Sequence, residues 1–278
     1  MMKISLVMAT INREKEIEEF IISLLAQTYK HYELIIVDQN EHNNLYKLVE
    51  KYKEIVPIIH LKSEKGLSRS RNLGLNAAQG DIIGFPDDDC TYDKDTLEKV
   101  ISFFEHNPNY SLFTGQCQDK DGQIVAGKFS TGHCDLNKNN VWECGVSVTL
   151  FLQKELIKKV EGFDEELGVG SGTIYGSGEE TDFILRCLEQ GGKGMYDPSF
   201  VVFHPNPVFE YNDKTFQRAY LYGSGYGRVL KKHNYPLNKK IHCIVRPLIA
   251  ICLYIFNVKK SRYYYYSAKG RLKGLFSN

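Results

Sequence analysis

The sequence predicts an α/β fold in which one mostly parallel β-sheet is flanked by helices. Short apolar segments alternate with amphipathic segments over the first hundred residues, a pattern typical of βαβ units. Two of the apolar segments run into aspartates, at Asp38 and at residues 87–89. Ligands of such sheets bind beyond the carboxyl ends of the strands. We therefore expect these aspartates to share one crevice.

The predicted elements follow in order along the chain. The apolar run at the N-terminus is too short for a signal peptide and predicts a buried strand, and the spacing of the next apolar residues predicts a helix. Strands are predicted at residues 2–10, 34–37, 57–61 and 81–85, and helices at about 12–25, 43–54 and 67–79. Beyond residue 110 the pattern is mixed, with strands at 111–117 and 146–152, helices at 154–160 and 181–190, and a Gly- and Ser-rich segment at 164–178. We expect that segment to be a mobile loop near the site.

Composition places the chain among ordinary globular proteins. It has 278 residues, of which 42% are hydrophobic and 25% charged, values that exclude a disordered chain, a collagen-like fibre and a disulfide-stapled mini-protein. The 7 cysteines are odd in number and form no CxxC pair, so zinc-ribbon and thioredoxin motifs are excluded. We expect reduced thiols and a cytoplasmic location.

Charge is divided unevenly along the chain. Residues 1–213 carry a formal net charge of −13, whereas residues 214–278 carry +14 and contain no acidic residue. A basic tail of this kind favours an anionic partner.

Three consecutive aspartates, Asp87, Asp88 and Asp89, follow a buried apolar strand. Carboxylate oxygens at this density suit Mg²⁺ or Mn²⁺. The alternative is an Asp-rich turn that caps a helix starting near Asp93. The position after a βαβ array favours the metal.

Six segments, taken together, resemble family 2 glycosyltransferases, which are inverting nucleotide-sugar enzymes of the GT-A fold. They occur in the family's order along the chain, at residues 5–13, 34–38, 66–74, 80–89, 162–165 and 178–182. The resemblance implies a GT-A domain at residues 1–213, with a nucleotide-binding half (about 1–110) and an acceptor half (about 111–213), followed by a basic, partly apolar helical extension at 214–278.

The resemblance also implies the residues of the donor site. Asp38 corresponds to the aspartate that accepts a hydrogen bond from the base, usually uracil, and Asp87 and Asp89 to the two aspartates that hold ribose and metal. His204 is a candidate metal or diphosphate ligand, although a histidine at a strand end is often structural. The expected nucleotide-sugar-binding residues are Ala9, Thr10, Asn12, Arg13, Asp38, Ser68, Arg71, Asp87 and Asp88, and the expected metal ligands are Asp87, Asp89 and His204.

Inverting transfer needs one carboxylate to take the proton of the acceptor hydroxyl. The resemblance places this base in the acidic segment that opens the helix at 181–190, on Glu180, with Glu179 and Asp182 as alternatives. An acidic first turn is also what a helix dipole favours. Trp142 could stack on a sugar or lie in the core, and Arg218 with residues 222–228 could clamp a diphosphate or pack helices through glycine.

The tail has three interpretations. Its apolar run is too short to span a bilayer, but basic and aromatic residues around it, including the tyrosines at 263–266, suit an interfacial helix on an anionic leaflet. It could instead pack on the catalytic domain; a nucleic-acid-binding role lacks an accompanying recognition fold. We favour peripheral contact with the inner face of the cell membrane.

The sequence thus predicts a metal-dependent inverting glycosyltransferase. It would move a sugar, from a UDP-sugar by preference, to a glycan or lipid-linked saccharide in surface polysaccharide biosynthesis. The alternatives are a nucleotidyltransferase, disfavoured because residues 9–13 contain no glycine, and a catalytically inactive nucleotide-sugar-binding protein.

Overall fold

The computed structural model of the protein describes residues 1–125, 127–206 and 210–277. The chain forms two compact units. The first comprises Met1–Lys65, Arg69–Phe163 and Phe183–Asn206, and the second comprises Gly66–Ser68, Asp164–Asp182 and the residues from 207 onward. The second unit therefore includes residues 164–182 as well as the C-terminal helices, and the predicted boundary at residue 213 stays a prediction.

A single eight-stranded sheet forms the centre of the first unit. Its strands are β1 (Ile4–Thr10), β2 (Tyr32–Asp38), β3 (Ile58–Lys62), β4 (Ile82–Gly84), β5 (Leu112–Gln118), β6 (Cys134–Asp135), β7 (Phe151–Gln153) and β8 (Gly194–Phe203). They are arranged in the order β3-β2-β1-β4-β7-β5-β8-β6. Only β6 and β7 run against the other strands, so the predicted mostly parallel α/β sheet is confirmed.

Ten α-helices connect or follow these strands in the described part of the chain. They are α1 (Lys15–Leu25), α2 (Asn44–Tyr52), α3 (Leu67–Ala77), α4 (Thr96–His106), α5 (Val141–Cys144), α6 (Lys154–Val160), α7 (Glu179–Glu189), α8 (Asp213–Lys232), α9 (Leu237–Leu253) and α10 (Val258–Phe276). One expectation was wrong. The strand predicted at 146–152 is a 3₁₀ turn over Ser147–Thr149 followed by the short strand β7. The helix expected to start near Asp93 is present and starts at Thr96.

The first two strands are interior strands of the sheet and are almost completely buried. Every residue of β2 is buried, and in β1 only Ala9 is partly exposed. The apolar face of α1 packs onto this core through Ile17, Phe20 and Ile21, at the spacing of one helix face. Burial of these side chains stabilises the edge of the sheet at which β1 and β2 end.

In the second unit, α8 and α10 pack together through glycine. A Cβ atom on Gly223 would lie 2.5 Å from the carbonyl oxygen of Ser267, and one on Gly274 would lie 2.0 Å from that of Ser224. These contacts are closer than any side chain allows. Within residues 222–228, Gly223 and likewise Gly227 serve helix packing, one of the two roles considered for this segment, whereas a Cβ on Gly225 would meet the backbone of Ser177. Among residues 1–125, 127–206 and 210–277, no helix has the length and apolar character needed to cross a membrane.

Candidate active site

Polar side chains gather where three parallel strands of the first unit end. Thr10 ends β1 and is paired in register with Asp38, which ends β2. The aspartates at 87–89 follow β4, which pairs with the other edge of β1. Thr10 Oγ1 donates a 2.7 Å hydrogen bond to Asp88 Oδ2 and so joins two of these strand ends. The sheet topology therefore places the predicted donor-site residues of β1 and β4 in contact.

Asp87, Asp89 and His204 form a cluster with the donor atoms of a metal site. One ligand atom from each lies within 4.8 Å of those of the other two. His204 follows β8, and its Nε2 lies 3.1 Å from Asp89 Oδ1 and 3.8 Å from Asp87 Oδ2. Two carboxylates and one imidazole fit a divalent ion such as Mn²⁺. These aspartates do not cap α4, whose N-cap position is Asp95.

Arg13 supplies positive charge to the same cluster. Its Nη2 lies 2.9 Å from Asp89 Oδ2, and its Nε lies 3.6 Å from Asp88 Oδ1. Both Arg13 and His204 line a cleft of about 570 Å³, together with Asp89. The cleft is large enough to admit a sizeable part of a nucleotide sugar.

Electrostatics differ among the three aspartates. Burial raises the pKa of Asp88 to about 6, against the hydrogen bond from Thr10 and the charge of Arg13. Burial also raises the pKa of Asp87, and the charges of Arg71 and His204 offset it only in part. Burial would likewise raise the pKa of Asp89, but the hydrogen bond and charge of His204 lower it below the usual range. A divalent cation would favour the ionised form of all three carboxyl groups.

His204 shows the reciprocal effect. Burial alone would lower the pKa of the imidazole, but the hydrogen bond and charge of Asp89 raise it above its ordinary value. Its Nδ1 lies 2.8 Å from the carbonyl oxygen of Pro205, which directs Nε2 toward the aspartates. An orienting carbonyl on the second ring nitrogen is common for metal-binding histidines.

Arg71 is a buried cation beside the triplet. The side chain is only 2% exposed, and its Nη2 donates to Ser147 Oγ at 3.0 Å and lies 3.4 Å from Asp87 Oδ1. Its guanidinium carbon also lies 5.3 Å from the centre of the Phe163 ring. These contacts hold Arg71 in place, where it orients Asp87.

Asp38 is enclosed by the protein. The side chain is 0% exposed and accepts hydrogen bonds from the backbone N–H and the Nδ2 of Asn40, at 2.8 and 2.7 Å. Its other oxygen lies 2.8 Å from Lys62 Nζ and 3.2 Å from His60 Nε2. Burial would raise the pKa of Asp38, but these donors lower it below the usual range. Asp38 is predicted to bind the nucleotide base, but its two oxygens already accept hydrogen bonds from four donors within the protein.

The loop after β1 has a special backbone conformation. Asn12 has a φ of 58°, in the left-handed region that asparagine tolerates better than most residues. Its N–H donates to Asn40 Oδ1 at 2.7 Å, which fixes the loop against the residues that follow β2. Asn12 is exposed and Ala9 half-buried, so both predicted nucleotide contacts are accessible to a ligand.

The acidic turn that begins α7 belongs to the second unit and contains two kinds of carboxylate. Asp182 is 0% exposed and lies 2.8 Å from both Lys232 Nζ and His233 Nε2. Glu179 is also buried, whereas Glu180 is partly exposed. Of the predicted catalytic residues, Glu180 is thus the one that solvent reaches, and Asp182 is held in an ion pair.

Ser68 is placed differently from what its predicted nucleotide contact needs. It is 1% exposed, and its hydroxyl donates to the carbonyl oxygen of Leu167 at 2.7 Å. Gly168 follows with a φ of 99°, and a Cβ there would lie 3.2 Å from Ser68 Oγ and from Glu179. In the structure, Ser68 therefore fixes the loop beside the acidic turn.

A second cavity, of about 550 Å³, lies between residues 169–176 and the first turns of α8. Lys214, Arg218 and Tyr222 line it. The Arg218 guanidinium carbon lies 4.7 Å from the centre of the Tyr222 ring. Burial raises the pKa of Tyr222 although the charge and hydrogen bond of Arg218 lower it, and the nearby charges of Glu179 and Glu180 add to the rise. The cavity is therefore close to the acidic turn.

The sequence did not reveal which side chains bind the two buried carboxylates, Asp38 and Asp182. Lys62 lies directly opposite Asp38 in the register of β2 and β3, a relation that correct alignment of the two predicted strands would have given. Lys232 and His233 lie about 50 positions after Asp182, and no local pattern connects them. Trp142 is half-buried in the four-residue helix α5.

Known proteins resemble this chain in sequence. The sequence model described as Glycosyl transferase family 2 matches residues 5–160. The E. coli protein named UDP-Glc:alpha-D-GlcNAc-diphosphoundecaprenol beta-1,3-glucosyltransferase WfgD is 28% identical over 156 residues, which cover 55% of this chain and 61% of that one. The matched segments cover from 32% to 69% of the lengths of the curated relatives compared with this chain.

Two solved structures share the fold. S. aureus TarS 1–349 in complex with UDP-GlcNAc superposes with a TM-score of 0.64 and 17% identity, over 98% of this chain and 92% of that one. The mannosyltransferase PcManGT from Pyrobaculum calidifontis, in complex with GDP-Man and Mn²⁺, gives a TM-score of 0.63 and 15% identity, over 99% and 87%. The GT-A fold predicted from the sequence is thereby confirmed.

Proposed function

This chain belongs to glycosyl transferase family 2 and is a glycosyltransferase, and from that premise we propose that it transfers a sugar from a UDP-sugar, with inversion, in a metal-dependent reaction. The observation that carries the proposal is the cluster of Asp87, Asp89 and His204 beside a cleft at the strand ends. The family match disfavours a nucleotidyltransferase. An inactive sugar-nucleotide-binding protein is the alternative that activity measurements address.

The donor side uses the groups at the ends of β1, β2 and β4. We assign the nucleotide to the loop of Ala9, Thr10, Asn12 and Arg13, because all of these except the buried Thr10 are at least partly exposed and Thr10 binds Asp88. Arg13 can bind a diphosphate oxygen if it releases Asp89. Asp38 fixes the residues after β2, and we propose that it receives the base either directly or through Asn40, to which it is bound.

Asp87, Asp89 and His204 would hold Mg²⁺ or Mn²⁺. The mixed oxygen and nitrogen donors favour Mn²⁺. When bound, the ion stabilises the negative charge that develops on the departing nucleoside diphosphate. The protein's own part is to keep these ligands in place, and the buried Arg71 does so by orienting Asp87.

Glu180 is our proposed general base. It is partly exposed, whereas Glu179 is buried and Asp182 is bound to Lys232 and His233. We therefore assign proton removal from the acceptor hydroxyl to Glu180. Asp182 is assigned to holding the start of α7, the element that carries Glu180. Attack from the face opposite the diphosphate converts an α-linked donor into a β-linked product.

The acceptor is proposed to be a glycan or a lipid-linked saccharide of surface polysaccharide biosynthesis. The name of the E. coli relative describes a diphosphoundecaprenol-linked acceptor and a β-linked product. A lipid-linked acceptor implies work at a membrane surface. We therefore propose a cytoplasmic protein that contacts the inner face of the cell membrane through residues 214–278.

The proposed inversion at the anomeric carbon can be tested without knowledge of the acceptor, because water can take the place of the acceptor. The protein is incubated with a panel of UDP-α-sugars and Mn²⁺, and proton NMR follows the anomer of the sugar first released. We expect the β-anomer, at a rate abolished by EDTA and restored by excess Mn²⁺. Release of the α-anomer would contradict inversion, and an undiminished rate in EDTA would contradict the metal dependence.

A further inference from the structure

The C-terminal helices leave a large apolar surface exposed. Four side chains at the turn between α9 and α10 are among the most exposed apolar residues of the described chain. They are Leu253 at 73%, Ile255 at 63%, Phe256 at 99% and Val258 at 74%. Strongly exposed apolar side chains in one group indicate an interaction surface, whereas single exposed apolar residues are ordinary.

The apolar surface continues along one side of α9. Leu237, Ile241, Val245, Leu248 and Ile249 are all exposed and recur at three- and four-residue spacing. The opposite side of α9 is covered, with Cys243 and Pro247 buried and the Cys243 carbonyl bound by Arg271 of α10. The helix thus presents a largely apolar face to solvent along its length of about 25 Å at 1.5 Å per residue, interrupted by the exposed Asn238 and His242.

The tyrosine run at 263–266 does not form this surface. Tyr266 stacks on Phe216 of α8, and Tyr264 stacks on Tyr254 at the end of α9. Only Tyr265 of the four is exposed. The sequence-based expectation that these aromatics line a membrane contact therefore has little support from their positions. The exposed apolar residues lie instead on α9 and at the turn.

Basic side chains accompany the apolar surface. Lys239 and Arg246 are exposed on α9, and Lys259 is exposed one residue after Val258. Residues 214–278 contain no acidic residue. An apolar helix face edged by cations is typical of helices that lie in the headgroup region of a bilayer.

We propose that the α9 face and the α9–α10 turn insert into the surface of an anionic phospholipid bilayer, with Phe256 as the deepest residue. The apolar side chains enter the boundary with the acyl chains, and Lys239, Arg246 and Lys259 contact the lipid phosphates. A second copy of the chain fits less well, because pairing two such faces would bring two segments of formal charge +14 together. The inference names the surface for the membrane contact proposed above; it can hold or fail independently of the transferase chemistry.

The test is sedimentation of the full-length protein with vesicles of phosphatidylcholine alone or with 30% phosphatidylglycerol, on the order of the anionic content that polybasic segments sense. We expect binding to the anionic vesicles only, weakened severalfold by 0.5 M salt. Ile255→Ser combined with Phe256→Ser should reduce the partition coefficient on the order of tenfold or more. Lys259→Gln combined with Arg246→Gln should reduce it severalfold.

Ile55→Ser is the matched control, because Ile55 is an isoleucine of similar exposure, 65% against 63%, on the other unit. It should bind vesicles as the unmodified chain does, and thermal melts should show all variants folded. Equal binding of the Ile255→Ser, Phe256→Ser variant and the Ile55→Ser control would overturn the proposal. So would a dimer in light scattering that this double substitution converts to a monomer. Loss of transferase activity with vesicle binding intact would count against the proposed function alone.

Discussion

The aspartates at 87–89 and the acidic turn at 179–182 are both short runs of carboxylates at the edge of a regular element, yet their chemical states differ. In the first, Asp87 and Asp89 are partly exposed and lie close to His204, so that the three side chains could bind one metal ion. In the second, Asp182 is sealed by Lys232 and His233, and Glu180 stays accessible. Partners distant in sequence, rather than the acidic motif itself, decide which carboxylates are available for chemistry.

The largest expected effect comes from Glu180→Gln. Removal of the proposed base should lower transfer on the order of 10²–10⁴-fold and leave the melting temperature unchanged, because Glu180 is partly exposed. Steady-state kinetics and thermal melts measure the two quantities. Glu210→Gln, another accessible glutamate of the second unit, is the control and should keep full activity. Retention of activity in Glu180→Gln would remove this residue from catalysis.

Asp182→Asn should act mainly on stability. It removes the carboxylate that the buried His233 contacts and one of the two carboxylates that Lys232 contacts, and loss of a hydrogen bond to a buried charged group costs about 1.5–3 kcal/mol. Urea unfolding of the variant should show the loss as a lower midpoint with an unchanged slope. A fully stable variant that has lost transfer would instead make Asp182 the base, and would reverse the assignment between it and Glu180.

A smaller effect is expected for Asp38, the buried carboxylate of the first unit, in the way that protein stability depends on pH. Because the pKa of Asp38 is lower in the folded protein than in the unfolded chain, its stabilisation is complete above the unfolded pKa of about 4. That stabilisation is lost as the pH falls through the folded pKa. Asp38→Asn should therefore be less stable at neutral pH and should have a shallower decline below about pH 4. Parallel acid-unfolding curves for the two proteins would contradict this.

The smallest effect belongs to Asp164→Asn. Asp164 Oδ2 lies 2.6 Å from the same Lys232 Nζ that binds Asp182, but both side chains of this pair are partly exposed, at 25% and 31%. Exposed pairs contribute only about 0–1 kcal/mol. The variant should therefore lose far less stability than Asp182→Asn in the same urea series. Equal losses would show that the buried pair contributes no more than the exposed one.

The sequence was sufficient for the sheet because β1, β2 and β4 are short apolar runs whose burial leaves few alternatives. It was also sufficient to place Thr10, Asp38 and the aspartates at 87–89 at the same edge of the sheet, since neighbouring parallel strands end there. It was insufficient where contacts join segments that are distant in sequence. Asp182 is bound by Lys232, and two of the tyrosines at 263–266 pack on residues of α8 and at the end of α9. No pattern of neighbouring residues predicts either contact.

The comparison between the two acidic regions is tested most directly by calorimetric titration of UDP, with Mn²⁺ present, into Asp89→Asn and Glu180→Gln side by side. We expect Asp89→Asn to lose metal-dependent binding, whereas Glu180→Gln should bind UDP as the unmodified protein does and still fail to transfer the sugar. Unchanged binding of UDP by Asp89→Asn, or equal loss in both variants, would contradict this expectation.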